Sequence, residues 1–210
     1  MISTDYQLPM LLMVFQGVLG AWDTLYYHEY RFRLTVHAAD TRDELVLHGA
    51  RDLVYAFLFL VLPRYALAGA WAWLVLALLL GEVCITLVDF VVERRVRAPL
   101  GGLAPGELAM HAFMAIVYGA FILGLAPHLL EGIAGETSWR AHAEPLPPAL
   151  VAVTDVMGFG VGAGVGVTPE AGRTTRFCKV AERFAGLAVN PIVTDWPAGI
   201  VEFQDFGVTL

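Results

Sequence analysis

The chain has 210 residues, of which 58% are hydrophobic and only 16% charged, and its mean hydropathy is +0.65. That composition is too apolar for an ordinary soluble domain and belongs in a bilayer. A net charge of -7 leaves no basic face to neutralise phosphates, which excludes a nucleic-acid partner.

Four apolar runs are long enough to cross a hydrocarbon core, which takes about 20 residues of helix. They cover residues 8–30, 45–62, 68–92 and 108–127, and a fifth covers 147–167. The first ten residues contain no Lys or Arg, so the first run lacks the basic region of a secretory signal and reads as a retained span. Trp22, Tyr26, Tyr27 and Tyr30 at one end of that run, and Trp71 and Trp73 at the start of the third, form interfacial aromatic belts. Arg31, Arg33 and Arg42 lie in the first connection, Arg94, Arg95 and Arg97 in the third, and Arg173, Arg176, Lys179 and Arg183 after the fifth run. The opposite side holds only Arg64 and Arg140. The positive-inside rule then places the N-terminus outside and the tail in the cytoplasm, with five crossings of a bacterial inner membrane.

Cys84 and Cys178 have no framework spacing, which argues against a structural disulfide. In the fifth run, Gly158/Gly162, Gly160/Gly164 and Gly162/Gly166 have small-xxx-small spacing, suited to packing on the bundle or on a second copy in a homo-oligomer. Gly158, Gly160 and Ala163 also match a dinucleotide fingerprint, but without the strand, turn and helix that motif requires. Beyond Thr168 the pattern predicts one short amphipathic helix over 174–189 and then loop. The expected fold is an all-α polytopic membrane protein. Residues 1–130 form a four-helix transmembrane bundle from two parallel repeats, residues 131–167 a loop and fifth span, and residues 168–210 a cytoplasmic tail.

The duplication is read directly from the residues. Glu44-Leu-Val-Leu-His48 aligns with Glu107-Leu-Ala-Met-His111 at an offset of 63, which also superposes Val54-Tyr55 on Val117-Tyr118. Lengthening the connecting loop by three residues places Asp23 on Asp89, Arg31 on Arg97 and Gln16 on Glu82. The repeats cover about residues 10–62 and 76–127, and both start on the same side, which implies a pseudo-two-fold axis along the membrane normal. Residues four apart share a helix face. Glu44, His48, Asp52 and Tyr55 therefore form one stripe, and Glu107, His111 and Tyr118 another. Gln16, Asp23 and Tyr27 line the first helix, as Glu82, Asp89 and Glu93 line the third. All four stripes bring acids or histidines to one end, where ionisable groups within spans normally face the interior and mark function.

These motifs resemble the ferritin-like di-iron carboxylate proteins, in which two helices each give an acid and two each give an acid-plus-His pair. The resemblance covers residues 23–48 and 89–111, with Glu-x-x-x-His here where the family has Glu-x-x-His; a spacing of four still allows joint ligation. It implies Asp23 and Asp89 (or Glu93) as single carboxylates, and Glu44/His48 and Glu107/His111 as paired ligands. Two divalent ions are implied, with iron, manganese and zinc all suited to mixed oxygen and nitrogen ligands. With iron, the implied activity is that of an oxidoreductase acting on a hydrophobic substrate reached from the bilayer. Tyr27, Tyr55, Tyr118 and Asp52 would then stand around the ligands as hydrogen-bonding partners.

Other readings of the same residues stay open. Thr41-Arg-Asp-Glu44 is also a capping box, and Pro105-Gly-Glu107 places an acid in a first helical turn. Asp23, Asp89 and Glu93 lie where Arg31, Arg33, Arg94 or Arg95 would pair with them at the headgroup level. A cap does not need the histidine that recurs one turn later in both halves. His48 and His111 are alternative axial ligands for haem, and Gln16 and Glu82 extend the stripes inward as a proton or cation path. His28 reads as interfacial, and His37, His128 and His142 as solvated loop residues.

Overall fold

The computed structural model describes residues 6–34 and 41–164. The expectations for His37, Cys178, Gly166 and the 168–210 tail lie outside the described residues. Five helices carry the fold, in keeping with the all-α expectation. Helix α1 (Gln7–Trp22) runs on without a break into a π-helical segment, Asp23–Arg31. There follow α2 (Arg42–Val61), α3 (Ala70–Arg97), a 3-10 turn (Ala98–Leu100), α4 (Pro105–Ala134) and α5 (Pro148–Gly164).

Gln7–Arg31, Ala70–Leu100 and Pro105–Ala134 are long and apolar enough to cross a membrane. The other two expected spans differ for physical reasons. Helix α2 carries Arg42, Asp43, Glu44, Arg51 and Asp52 within 20 residues, and α5 has only 17. Helix α1 packs along α4, and α2 packs along both α3 and α5. Met10, Met13, Leu58, Phe59, Leu79 and Phe121 meet between them with at most 1% exposure and form the apolar core. On the outside lie Leu11, Val18, Leu87, Val91, Ile116 and Leu123, each at least half exposed. The helices thus carry apolar residues both between them and on their exposed faces.

Gly158 and Gly162 face α2 of the same chain. A Cβ at Gly158 would come within 2.7 Å of Leu60, and one at Gly162 within 3.7 Å of Ala56, whereas Gly160 has nothing within 4 Å. The small-residue face therefore serves packing within the chain, as the first of the two expected uses.

One feature was absent from the expectation. Strands β1 (Tyr65–Ala68) and β2 (Ser138–Ala141) pair antiparallel, Tyr65 opposite Ala141 and Ala68 opposite Ser138, and tie the α2–α3 connection to the α4–α5 connection. Gly69 makes the corner possible: its φ is +59°, and a Cβ there would lie 2.5 Å from the Thr137 backbone. Near this end His128 and His142 are half-buried, not solvated. Their rings pack on Tyr6 at 4.9 and 4.8 Å between centroids, and His142 Nε2 lies 2.9 Å from the Leu62 carbonyl, to which Tyr6 also donates at 2.8 Å.

Candidate metal centre

At the opposite end each inward stripe changes from apolar to ionisable. On α3 the buried series Ala72, Val75, Leu79 continues as Glu82, Asp89, Glu93 and Arg97. On α4, Leu125, Phe121, Tyr118 and Met114 lead down to His111 and Glu107. Six carboxylates are buried together here: Asp23, Glu44, Glu82, Asp89, Glu93 and Glu107, none more than 4% exposed.

The π winding of Asp23–Arg31 decides what α1 contributes. Its hydrogen bonds span five residues where an α-helix spans four, as in Phe32 N–H to the Tyr27 carbonyl at 3.0 Å. Asp23 and His28, five apart, then share one face and are each 4% exposed. The interfacial reading of His28 is thereby corrected: it is buried, with its Nε2 3.5 Å from Asp23 and 3.7 Å from Glu107.

Two groups of side chains have the composition and proximity of metal ligands. Asp23, His28, Glu107 and His111 offer one ligand atom each, all within 4.8 Å of one another, as do His28, Glu44 and His48. The first group is fully buried. Nε2 of His111 lies 3.0 Å from Asp23 Oδ2, while Asp23 Oδ1, His28 Nε2 and both oxygens of Glu107 have no hydrogen-bond partner of good geometry. Asp89 and Glu93 are in the cluster but in neither group. Asp89 lies 3.9 Å from His48 and 3.2 Å from Arg51, and Glu93 lies 3.3 Å from Nδ1 of His111.

The partners of these acids differ from the alternatives the sequence left open. Glu44 does not act as a capping-box residue: Thr41 makes no side-chain cap bond and donates to the Leu34 carbonyl at 3.1 Å, and Glu44 turns to Arg97. Arg97 has no exposed surface and grips both oxygens of Glu44, with contacts down to 2.6 Å. It also lies 3.1 Å from Glu107. Arg95 pairs outside the cluster with Asp43 at 3.1 Å. Asp52 is half-buried, and its neighbour Arg51 enters the interior instead, bridging Glu82 at 3.3 Å and Asp89 at 3.2 Å. Arg51 and Arg97 are therefore, with His28, the residues whose part in the cluster sequence reasoning missed: Arg51 adjoins the stripe read through Asp52, and Arg97 stood only as a basic residue of the third connection and the repeat counterpart of Arg31.

The tyrosines stand around the cluster. Tyr27 is packed against Gly106, Tyr55 donates to Glu82 at 3.4 Å, and Tyr118 donates to the Leu79 carbonyl at 3.5 Å. The inward polar file reaches Gln16 and Glu82, both buried, and among the described residues the bundle beyond them is filled by the Met13, Phe59, Leu79 and Phe121 core.

Comparison of the chain with protein-family models, with curated proteins and with solved structures finds no match. The site therefore stands on its own residues. A buried set of Asp, Glu and His side chains at one end of a helical structure has the chemistry to hold a divalent ion.

Proposed function

We propose that this chain is an integral membrane oxidoreductase in which a carboxylate/histidine metal centre, of the kind found in di-iron carboxylate proteins, acts on a hydrophobic substrate. The observation that carries the reading is the Asp23, His28, Glu107 and His111 group, four buried ligand atoms from two elements within 4.8 Å of one another.

Charge supports a cation there. Among the described residues six buried carboxylates face two guanidiniums, Arg51 and Arg97; with all six ionised and the imidazoles neutral, four negative charges are left uncompensated. An unpaired buried charge costs several kcal/mol, and within a bilayer each costs about 2.5–3.5 kcal/mol on insertion scales. A divalent ion offsets two of the four. Mixed carboxylate and imidazole donors suit iron, manganese or zinc. Iron in this position supplies one-electron and oxygen chemistry. The protein's part is to exclude water through the apolar core and to hold the four ligands on helices. The exposed apolar faces of α3 and α4, which include Val91 and Ile116, give a lipid-soluble substrate a surface to approach along.

The test is elemental analysis of the detergent-solubilised chain after anaerobic dialysis against iron(II), beside a His28→Ala/His111→Ala variant. At least about one ion per chain in the wild type, lost in a variant of unchanged helicity, is expected. The iron-loaded protein should then consume oxygen with a lipid-soluble reductant. Folded wild-type protein that takes up neither iron, manganese nor zinc overturns the reading.

A further inference from the structure

Arg97 marks a second metal position. Resting on the metal reading above, we infer that its guanidinium and a second divalent ion exclude one another at Glu44. An arginine at the end of a helix ordinarily extends its charged head to water. Arg97, the last residue of α3, does the reverse. Its Nε lies 3.2 and 3.0 Å from the two oxygens of Glu44, its Nη2 lies 2.6 Å from Glu44 and 3.1 Å from Glu107, and its guanidinium carbon lies 4.6 Å from the centre of the Phe32 ring.

Glu44 has two claimants. It belongs to the group formed with His28 and His48, whose ligand atoms lie within 4.8 Å of one another, and both of its oxygens are covered by Arg97. A carboxylate held by both oxygens in a guanidinium fork has little left to give a metal ion. His28, only 4% exposed, borders both groups: its Nε2 faces Asp23 and Glu107 at 3.5 and 3.7 Å, and its ring lies 4.7 Å from that of His48. Arg97 thus stands as a built-in cation where the second ion would sit. Arg31, which the internal repeat aligns with Arg97, is exposed, so the group around Asp23 and His111 meets a guanidinium only through the single 3.1 Å contact of Arg97 Nη2 with Glu107, with no fork over both oxygens of a carboxylate. Loading is therefore ordered. The first ion takes Asp23, His28, Glu107 and His111, and the second must displace Arg97 to use Glu44 and His48. Two charges stay uncompensated after the first ion, which favours that second step.

The experiment titrates the detergent-solubilised chain with manganese(II), counting bound ions and recording electron paramagnetic resonance, for wild type, Arg97→Gln and Phe32→Leu. Wild type should bind one ion tightly and a second weakly. Arg97→Gln should bind the second at least about tenfold more tightly and show the spectrum of a coupled pair. Phe32→Leu removes the ring beneath the guanidinium without touching a carboxylate, should tighten the second step by a smaller factor, and serves as the test if Arg97→Gln does not fold. One uncoupled ion in all three proteins overturns the guarded second position and leaves the first standing. No manganese in any of them overturns the centre itself.

Discussion

Gly106 sits next to Glu107, and a Cβ added there would come within 2.5 Å of the Tyr27 hydroxyl, with the next ring atom at 3.7 Å. The first turn of α4 and the π segment thus approach as closely as a hydrogen side chain allows, and this contact sets how near Glu107 stands to His28 and Asp23. Gly106→Ala should therefore cost about 1–3 kcal/mol through overpacking and weaken metal uptake together with stability. The clash is with the hydroxyl alone, because 3.7 Å to the ring is ordinary contact. Combining Gly106→Ala with Tyr27→Phe should restore most of the melting temperature and the metal content. If the pair is as unstable as the single variant, the contact does not determine the placement of Glu107.

At the scale of the element, the π segment aligns Asp23 with His28 through five-residue spacing. A chain shortened by Leu25, an exposed residue of this segment, would leave the two residues four apart, on one face of an ordinary α-helix. A chain lengthened by one alanine after Leu25 would put them six apart and off a common face. The deletion should retain metal binding better than the insertion, with helicity near that of wild type in both, and equal loss in the two would refute the alignment. This segment also shows where the sequence could and could not be read. The stripes of α3 and α4 were legible because they keep the α-helical spacing from Ala72 to Arg97 and from Glu107 to Leu125. His28 was not, because nothing in its residue type signals that the winding changes at Asp23. Arg97 was legible as one of three basic residues in a connection and as the repeat counterpart of Arg31, but not as a buried group, since hydropathy falls at Glu93 whereas the helix continues to Arg97. The pairing of β1 with β2 depends on contact between distant connections and leaves no trace in four-residue strands.

For the whole molecule the question is whether its exposed apolar surface meets lipid. Glu82, Asp89, Glu93 and Arg97 of α3 share its inward stripe, with Arg94 and Arg95 exposed near its end, and its opposite side carries Leu80, Leu87, Val88 and Val91, each more than half exposed. A large contiguous apolar surface is uncommon on a soluble monomer, whereas in a bilayer it is the ordinary exterior. Cys84 lies in the middle of α3 and is exposed, which makes it a reporter of that surface. With Cys178→Ser removing the other thiol, a membrane-impermeant maleimide should leave Cys84 unmodified in intact membranes and modify it after denaturation in detergent. Lipid accounts for that pattern, because among the described residues nothing covers this thiol. Rapid labelling in intact membranes would mean that α3 meets water along its length. The buried carboxylates would then have to be explained without a bilayer, and the route for a lipid-soluble substrate would be lost with it.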